Sequence, residues 1–205
     1  MLNRTRLITV AALLALSAAV PLTGVAHAAG GDTSASLLGG TLTVSGGAPG
    51  TFSADLNGTN QTVYTSLGNY TVTDATGTGL GWHVSMQASQ FTCTVGTDAG
   101  CKTGLTTLPW NSLSVAPPSV ACASGSICTG SPTVSITTPT AVDTGSGTSA
   151  GSAVTILSAA ALTGIGSYTV TPGTVGTGQL ALSVPGNALA TTYHSTLTIT
   201  VNSGP

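Results

Sequence analysis

Short runs in which every second residue is apolar recur along this chain, and Gly, Pro or Asn separates each from the next. Leu42 with Val44, Phe52 with Ala54 and Leu56, Tyr70 with Val72, and Trp82 with Val84 and Met86 form the first set. Leu113 with Val115, Val134 with Ile136, Val154 with Ile156, Tyr168 with Val170, Leu180 with Leu182 and Val184, and Leu197 with Ile199 and Val201 form the second. Alternation with a period of two puts one side of a strand in a core and leaves the other wet. Many short runs divided by turn residues specify an all-β antiparallel sandwich or barrel. The intervening polar residues are mostly Thr, which suits a pleated surface. Only Val154–Leu162, with Ala159-Ala160-Ala161, has the composition for a helical turn.

Thr has to solubilise this chain because charge does not. Of 205 residues, 41% are hydrophobic and 4% charged, with three basic and five acidic side chains and no Glu. Disordered chains combine low hydrophobicity with high charge, so this composition indicates a folded protein. No basic cluster exists to neutralise phosphates, which excludes nucleic-acid binding.

Arg4 and Arg6 precede an apolar run from Leu7 to Val20, and Ala26-His27-Ala28 supplies the small residues that flank a signal-peptidase cut. Residues 1–28 are expected to be a signal peptide and 29–38 a flexible lead into a β-domain over 39–205. The apolar run is broken by Pro21 and falls short of the roughly 20 residues that span a bilayer, so no transmembrane anchor is expected. No hydrophobic tail follows Val201, and attachment to a surface is expected to be non-covalent.

Cys93, Cys101, Cys122 and Cys128 are an even set in an exported chain, and their spacing is not that of a metal or redox motif. Three connectivities are open. Nearest-neighbour pairing, Cys93 with Cys101 and Cys122 with Cys128, is favoured. All four lie in residues 93–132, which read as an inserted, stapled loop region that also holds Lys102, Trp110 and the Pro117-Pro118 pair.

Asn69-Tyr70-Thr71-Val72-Thr73 resembles Ser167-Tyr168-Thr169-Val170-Thr171, and at the same offset Trp82-His83-Val84-Ser85 meets Leu180-Ala181-Leu182-Ser183. If this is a structural repeat, Trp82, Val84 and Met86 point into the core while His83 and Ser85 face outward.

Searches for chemistry find little. Gly147-Thr148-Ser149-Ala150-Gly151 has the nucleophile-elbow pattern, but no acid follows Asp143 to complete the Ser, acid, His order. Gly77-Thr78-Gly79-Leu80-Gly81 lies between strands, where a dinucleotide loop needs a helix. His83 and His194 have no carboxylate close in sequence, and the five Asp form neither a catalytic pair nor a calcium ladder, although Asp74 and Asp98 are the candidates for a cation. No catalytic residue, cofactor or metal site is expected.

Residues 70–74 (Y-T-V-T-D), the glycine turn into Gly81-Trp82-His83-Val84, Ala181-Leu182-Ser183-Val184-Pro185 and the closing run Tyr193-His194-Ser195-Thr196-Leu197-Thr198-Ile199-Thr200-Val201 carry a family pattern. They resemble the C-terminal WxL domain of Gram-positive surface proteins, over about Gly39 to Val201. The resemblance implies an exported β-sandwich held non-covalently on the bacterial cell wall, with peptidoglycan or another wall glycan as partner, often alongside other surface proteins. Two departures stand out: Val84 replaces the Leu of the first W-x-L motif, and Ile199-Thr200-Val201 stands where the second would be, without its Trp. The cysteines are not explained by the family pattern.

The binding candidates are therefore Trp82, His83, Val84, Trp110, Tyr193 and Ile199. For Trp82 the repeat favours a core anchor over a sugar platform; Trp110 is the better candidate for an exposed contact. The rival function is a structural or adhesin-like assembly module that meets other surface proteins through strand edges or stapled loops.

Overall fold

The computed structural model describes residues 34–205; the expected signal peptide lies outside the described residues. Thirteen strands follow in order: β1 (Leu42–Gly46), β2 (Gln61–Thr65), β3 (Tyr70–Asp74), β4 (Trp82–Ala88), β5 (Leu113–Cys122), β6 (Thr133–Val134) and β7 (Thr140–Ala141). After them come β8 (Gly145–Ser146), β9 (Ser149–Ala150), β10 (Val154–Ala159), β11 (Gly166–Gly173), β12 (Leu180–Val184) and β13 (Leu197–Ser203). A seven-stranded sheet runs β1-β3-β11-β5-β12-β2 with β7 added on β5, a four-stranded sheet runs β13-β4-β10-β6, and β8 and β9 form a separate hairpin. Every pairing is antiparallel. The fold is an all-β antiparallel sandwich, as the alternation predicts.

Tyr70 and Val72 of β3 and Tyr168 and Val170 of β11 bury the inner face of the large sheet against Trp82, Val84 and Met86 of β4 and Ile156 and Leu157 of β10. Their Thr neighbours turn outward, where the Thr73 and Ser167 hydroxyls bond each other at 2.9 Å across paired strands. Trp82 is fully buried, donates its indole N–H to the Gly164 carbonyl at 2.9 Å, and meets the Tyr168 ring edge-on at 6.1 Å. Gly164 has φ +74°, and a Cβ there would lie 2.7 Å from the indole nitrogen, so only Gly fits this turn.

Several expectations are corrected. Val154–Leu162 forms no helical turn: its first six residues are β10, where a bulge between Thr155 and Leu157 sends both Ile156 and Leu157 into the core. Phe52, Ala54 and Leu56 lie on an extended segment that is not a strand, because no backbone amide from 51 to 56 finds a partner among the described residues. Ser85 is buried despite its outward register, because β4 is central and Thr155 and Thr200 flank it on the neighbouring strands. Residues 93–132, read as an inserted loop, contain β5, a central strand of the large sheet. Its first residues pair with β12 and β7 and its later ones with β11. Pro117 and Pro118 fall at the crossover, where two missing N–H donors coincide with a register shift between Thr171 and Gly173 of β11.

The internal repeat survives in one pair of strands. β3 and β11 lie side by side, with Tyr168 opposite Val72 and Val170 opposite Tyr70. β4 and β12 belong to different sheets, so Trp82 and Leu180 are not structural counterparts, although both are buried.

The disulfides pair nearest neighbours, Cys93 with Cys101 and Cys122 with Cys128. Strand registers place them at opposite ends. Asp74, Trp82, Ala159, Cys122 and Ser203 mark the Cys122–Cys128 end; Ala88, Leu113, Val154, Val184 and Leu197 mark the other.

Candidate functional site

Burial sorts the six candidates. Trp82 and Val84 are fully buried, so neither indole nor aliphatic side chain can meet a ligand. His83, on the outer face of β4, is half-buried, and its Nδ1 lies 2.8 Å from the Gly204 carbonyl. Ile199 is partly buried against the core on edge strand β13. Tyr193 is half-buried and its hydroxyl accepts the Leu189 N–H at 3.2 Å. Trp110 is half-buried at the Cys93–Cys101 end, and it and Tyr193 line a hollow open to solvent.

The placement of Trp110 begins with the turn that carries it. Asn111 adopts φ 62°, a left-handed conformation that Asn tolerates better than most residues, and donates its N–H to the Asp143 carbonyl at 3.0 Å. The Asp143 carboxylate, fully buried, then takes the Ser112 N–H at 3.0 Å, the Ser112 hydroxyl at 2.8 Å and the Leu113 N–H at 2.9 Å. Burial pushes this carboxyl above its ordinary range, and the Ser112 and Leu113 hydrogen bonds pull it back. Beyond the turn, the indole donates to the Gly147 carbonyl at 2.8 Å and lies on the β8–β9 hairpin, where a Cβ on Gly145 would come 2.6 Å from ring carbons. Trp110 is thus fixed from two sides before any ligand arrives.

Two hollows flank the ring. One, of about 400 Å³, has Gln90, Thr107, Asn187 and Tyr193 among its walls. The other, of about 330 Å³, has Asn60, Gln61 and Asn111, with Pro109 and Pro185 common to both. No charged side chain lines either. Leu108, Ala188, Leu189 and Tyr193 continue the first hollow into a larger cleft of about 830 Å³, whose lining includes Phe52, Phe91, Leu180, Leu182, Asp55 and His194. The rings of Phe52 and Phe91 meet edge-on there at 6.2 Å.

Sequence distance hid one pair. His194 Nε2 lies 3.1 Å from Asp98 Oδ1, and Asp98 Oδ2 accepts the Thr94 N–H at 2.7 Å inside the disulfide loop. The Thr94 amide and then His194 hold the Asp98 carboxyl below its ordinary range. Asp74 is buried and caps its own turn, bonding the Thr76 N–H at 3.0 Å and the Thr76 hydroxyl at 2.6 Å. Ser149 sits exposed on the small hairpin, and among the described residues its hydroxyl bonds no His or carboxylate, so no elbow is assembled.

Sequence reasoning missed Asn60, Gln61, Asn111, Pro185 and Asn187 as walls of the site, and Asp143 as its support. Asp143 was readable only as a turn residue, yet Ala141 and Val142 before it already signalled burial. An indole bordered by amides, hydroxyls and prolines thus lies open on an almost uncharged β-sandwich.

A family model described as WxL domain, surface cell wall-binding, matches residues 34–205. The chain belongs to the WxL domain family, whose members associate with the cell wall as binding domains. No curated protein and no solved structure matches the chain. Among the described residues no helix is long and apolar enough to cross a membrane.

Proposed function

We propose that this chain is exported and binds wall glycan, with peptidoglycan as the polymer, without catalysing a reaction on it. The contact is Trp110 with the two hollows beside it, and Tyr193 extends that contact; Trp82, His83, Val84 and Ile199 are scaffold. The observation that carries this reading is the half-exposed, doubly anchored indole between walls of Gln, Asn, Thr and Pro with no charge among them. Sugars present C–H faces that stack on an aromatic ring, and hydroxyls that pair with amides. Ile199, which stands where the second W-x-L tryptophan would be, lines neither of the hollows beside Trp110.

Retention of the purified protein on insoluble peptidoglycan tests this. The wild type is expected to sediment with the wall almost independently of salt, since few charges are screened. Trp110→Ala is expected to weaken retention at least about ten-fold, the scale of a hot-spot aromatic. Wild-type retention by Trp110→Ala would overturn the assignment of the site.

A second reading rests on the other pole. Leu80, Ile127 and Leu162 are exposed large apolar residues on the loops there, and this suits contact with another surface protein. Co-migration with such a partner, abolished by Ile127→Asp and unaffected by Trp110→Ala, would establish it as a separate function.

A further inference from the structure

We infer that the 830 Å³ cleft beside the Trp110 hollows binds an extended peptide, namely the stem peptide carried by the wall glycan; this rests on the glycan reading above. The lining of the cleft includes two lengths of chain that have the alternating exposure of strands but belong to no sheet, 51–55 and 190–193, the second running into the Thr92–His194 bridge. Backbone N–H groups from 51 to 56 and from 190 to 193 donate to no acceptor among the described residues. Lengths of backbone whose N–H groups have no partner in the fold are the edges that an added strand needs. The Thr191 hydroxyl, in the same wall, is shut from solvent and also lacks a partner.

The floor and rim state what the occupant must look like. Leu180, Leu182 and Val63 form an apolar floor. Small apolar side chains on alternate positions of an extended peptide would rest there. Asp55 is the only carboxylate lining the cleft, is exposed, and has no cationic partner among the described residues. An amine at the peptide's far end would complete it. Wall stem peptides have this composition: short, extended, rich in alanine, with a diamino acid offering a free amine. Leu189 and Tyr193 line both this cleft and the neighbouring hollow, so a glycan on Trp110 would deliver its stem to the cleft without a gap.

Three ligands separate the claims: intact peptidoglycan, the same polymer stripped of stems by an amidase, and free stem peptide. Intact wall is expected to retain the protein about ten-fold better than stripped wall, and free stem peptide to shift backbone amide resonances of 51–55 and 190–193. Asp55→Asn, an exposed change with no effect on folding, is expected to lower affinity for the free stem peptide about five-fold while leaving stripped wall unaffected. Equal retention on intact and stripped wall, with no shift by the peptide, would overturn the cleft assignment and leave the glycan reading standing. Stem binding without any retention on stripped wall would do the reverse. Failure of all three ligands would remove both.

Discussion

Asp143 Oδ2 accepts both the backbone N–H and the hydroxyl of Ser112, at 3.0 and 2.8 Å, so a sealed carboxylate fixes the residue that leads into β5, two beyond Trp110. Such a group is a positioning device: it is sealed from solvent, yet it helps to fix where the half-buried indole stands. Support from beneath suits the proposed wall contact, which would then need little reorganisation.

Removing that support has a calculable cost. Asp143→Ala strands the Ser112 and Leu113 amides in a dry environment, and an unmet buried donor costs about 1–3 kcal/mol. The expected loss of unfolding free energy is about 3–5 kcal/mol for the two together. Urea titration checks it; a midpoint within error of wild type would show that the turn holds itself.

The indole of Trp82 makes the opposite prediction from that of Trp110. Trp82→Ala empties a fully buried site and is expected to cost about 3–5 kcal/mol. Gly164→Ala, by forcing a methyl against the same ring from a left-handed backbone, is expected to cost about 2–4 kcal/mol. Both should lose wall retention only in proportion to the unfolded fraction seen by circular dichroism. A folded Trp82→Ala protein that no longer sediments with wall would place the binding surface elsewhere.

The sandwich was legible because alternation in Tyr70-Thr71-Val72 and Trp82-His83-Val84 is enforced by burial on one face alone. Phe52-Ser53-Ala54 alternates equally well, but strand formation also needs a neighbour's backbone, and the absence of one there is not encoded locally. The repeat misled at β4 and β12 for a related reason. Two similar strands were sent to different sheets by the loops before them, and loop direction leaves no periodic trace. Of the site, Trp110 was legible as an aromatic in a Pro-bounded loop. Its amide walls come from three separate stretches, around Asn60, Gln90 and Asn187, and only the fold brings these together.

Because the disulfides occupy opposite poles, their removal should separate binding from stability. Each closes a loop of single-digit length, with separations of 8 and 6 residues, for which loop entropy gives about 2.5 kcal/mol. Replacing Cys93 and Cys101 by Ser is expected to lower stability by that amount and also weaken wall retention, since Gly100 packs on Ala190 and the Asp98–His194 pair ties the loop to the cleft wall. Replacing Cys122 and Cys128 is expected to cost similar stability with retention unchanged, once both proteins are compared well below their melting temperatures. Equal retention in the two double variants would disconnect the first loop from the site.

Two carboxyls should respond to acid with opposite signs. Asp98, held below its ordinary value of 3.8 by the Thr94 amide and His194, contributes stability that is present above that value and is lost as pH falls through its lowered folded value. Asp143, raised above 3.8 mainly by burial, makes the native state take up a proton more readily than the unfolded chain. Its contribution is therefore complete below 3.8 and is lost as pH rises through the raised folded value. Against wild type, Asp98→Asn should be less stable near neutrality, with a deficit that closes in acid. Asp143→Asn should show its largest deficit in acid, narrowing as pH rises. Thermal melts of the three proteins from about pH 2.5 to 7 read both differences, a range that brackets ordinary carboxyl titration. Parallel deficits at every pH would mean that neither carboxyl is coupled to folding through its charge.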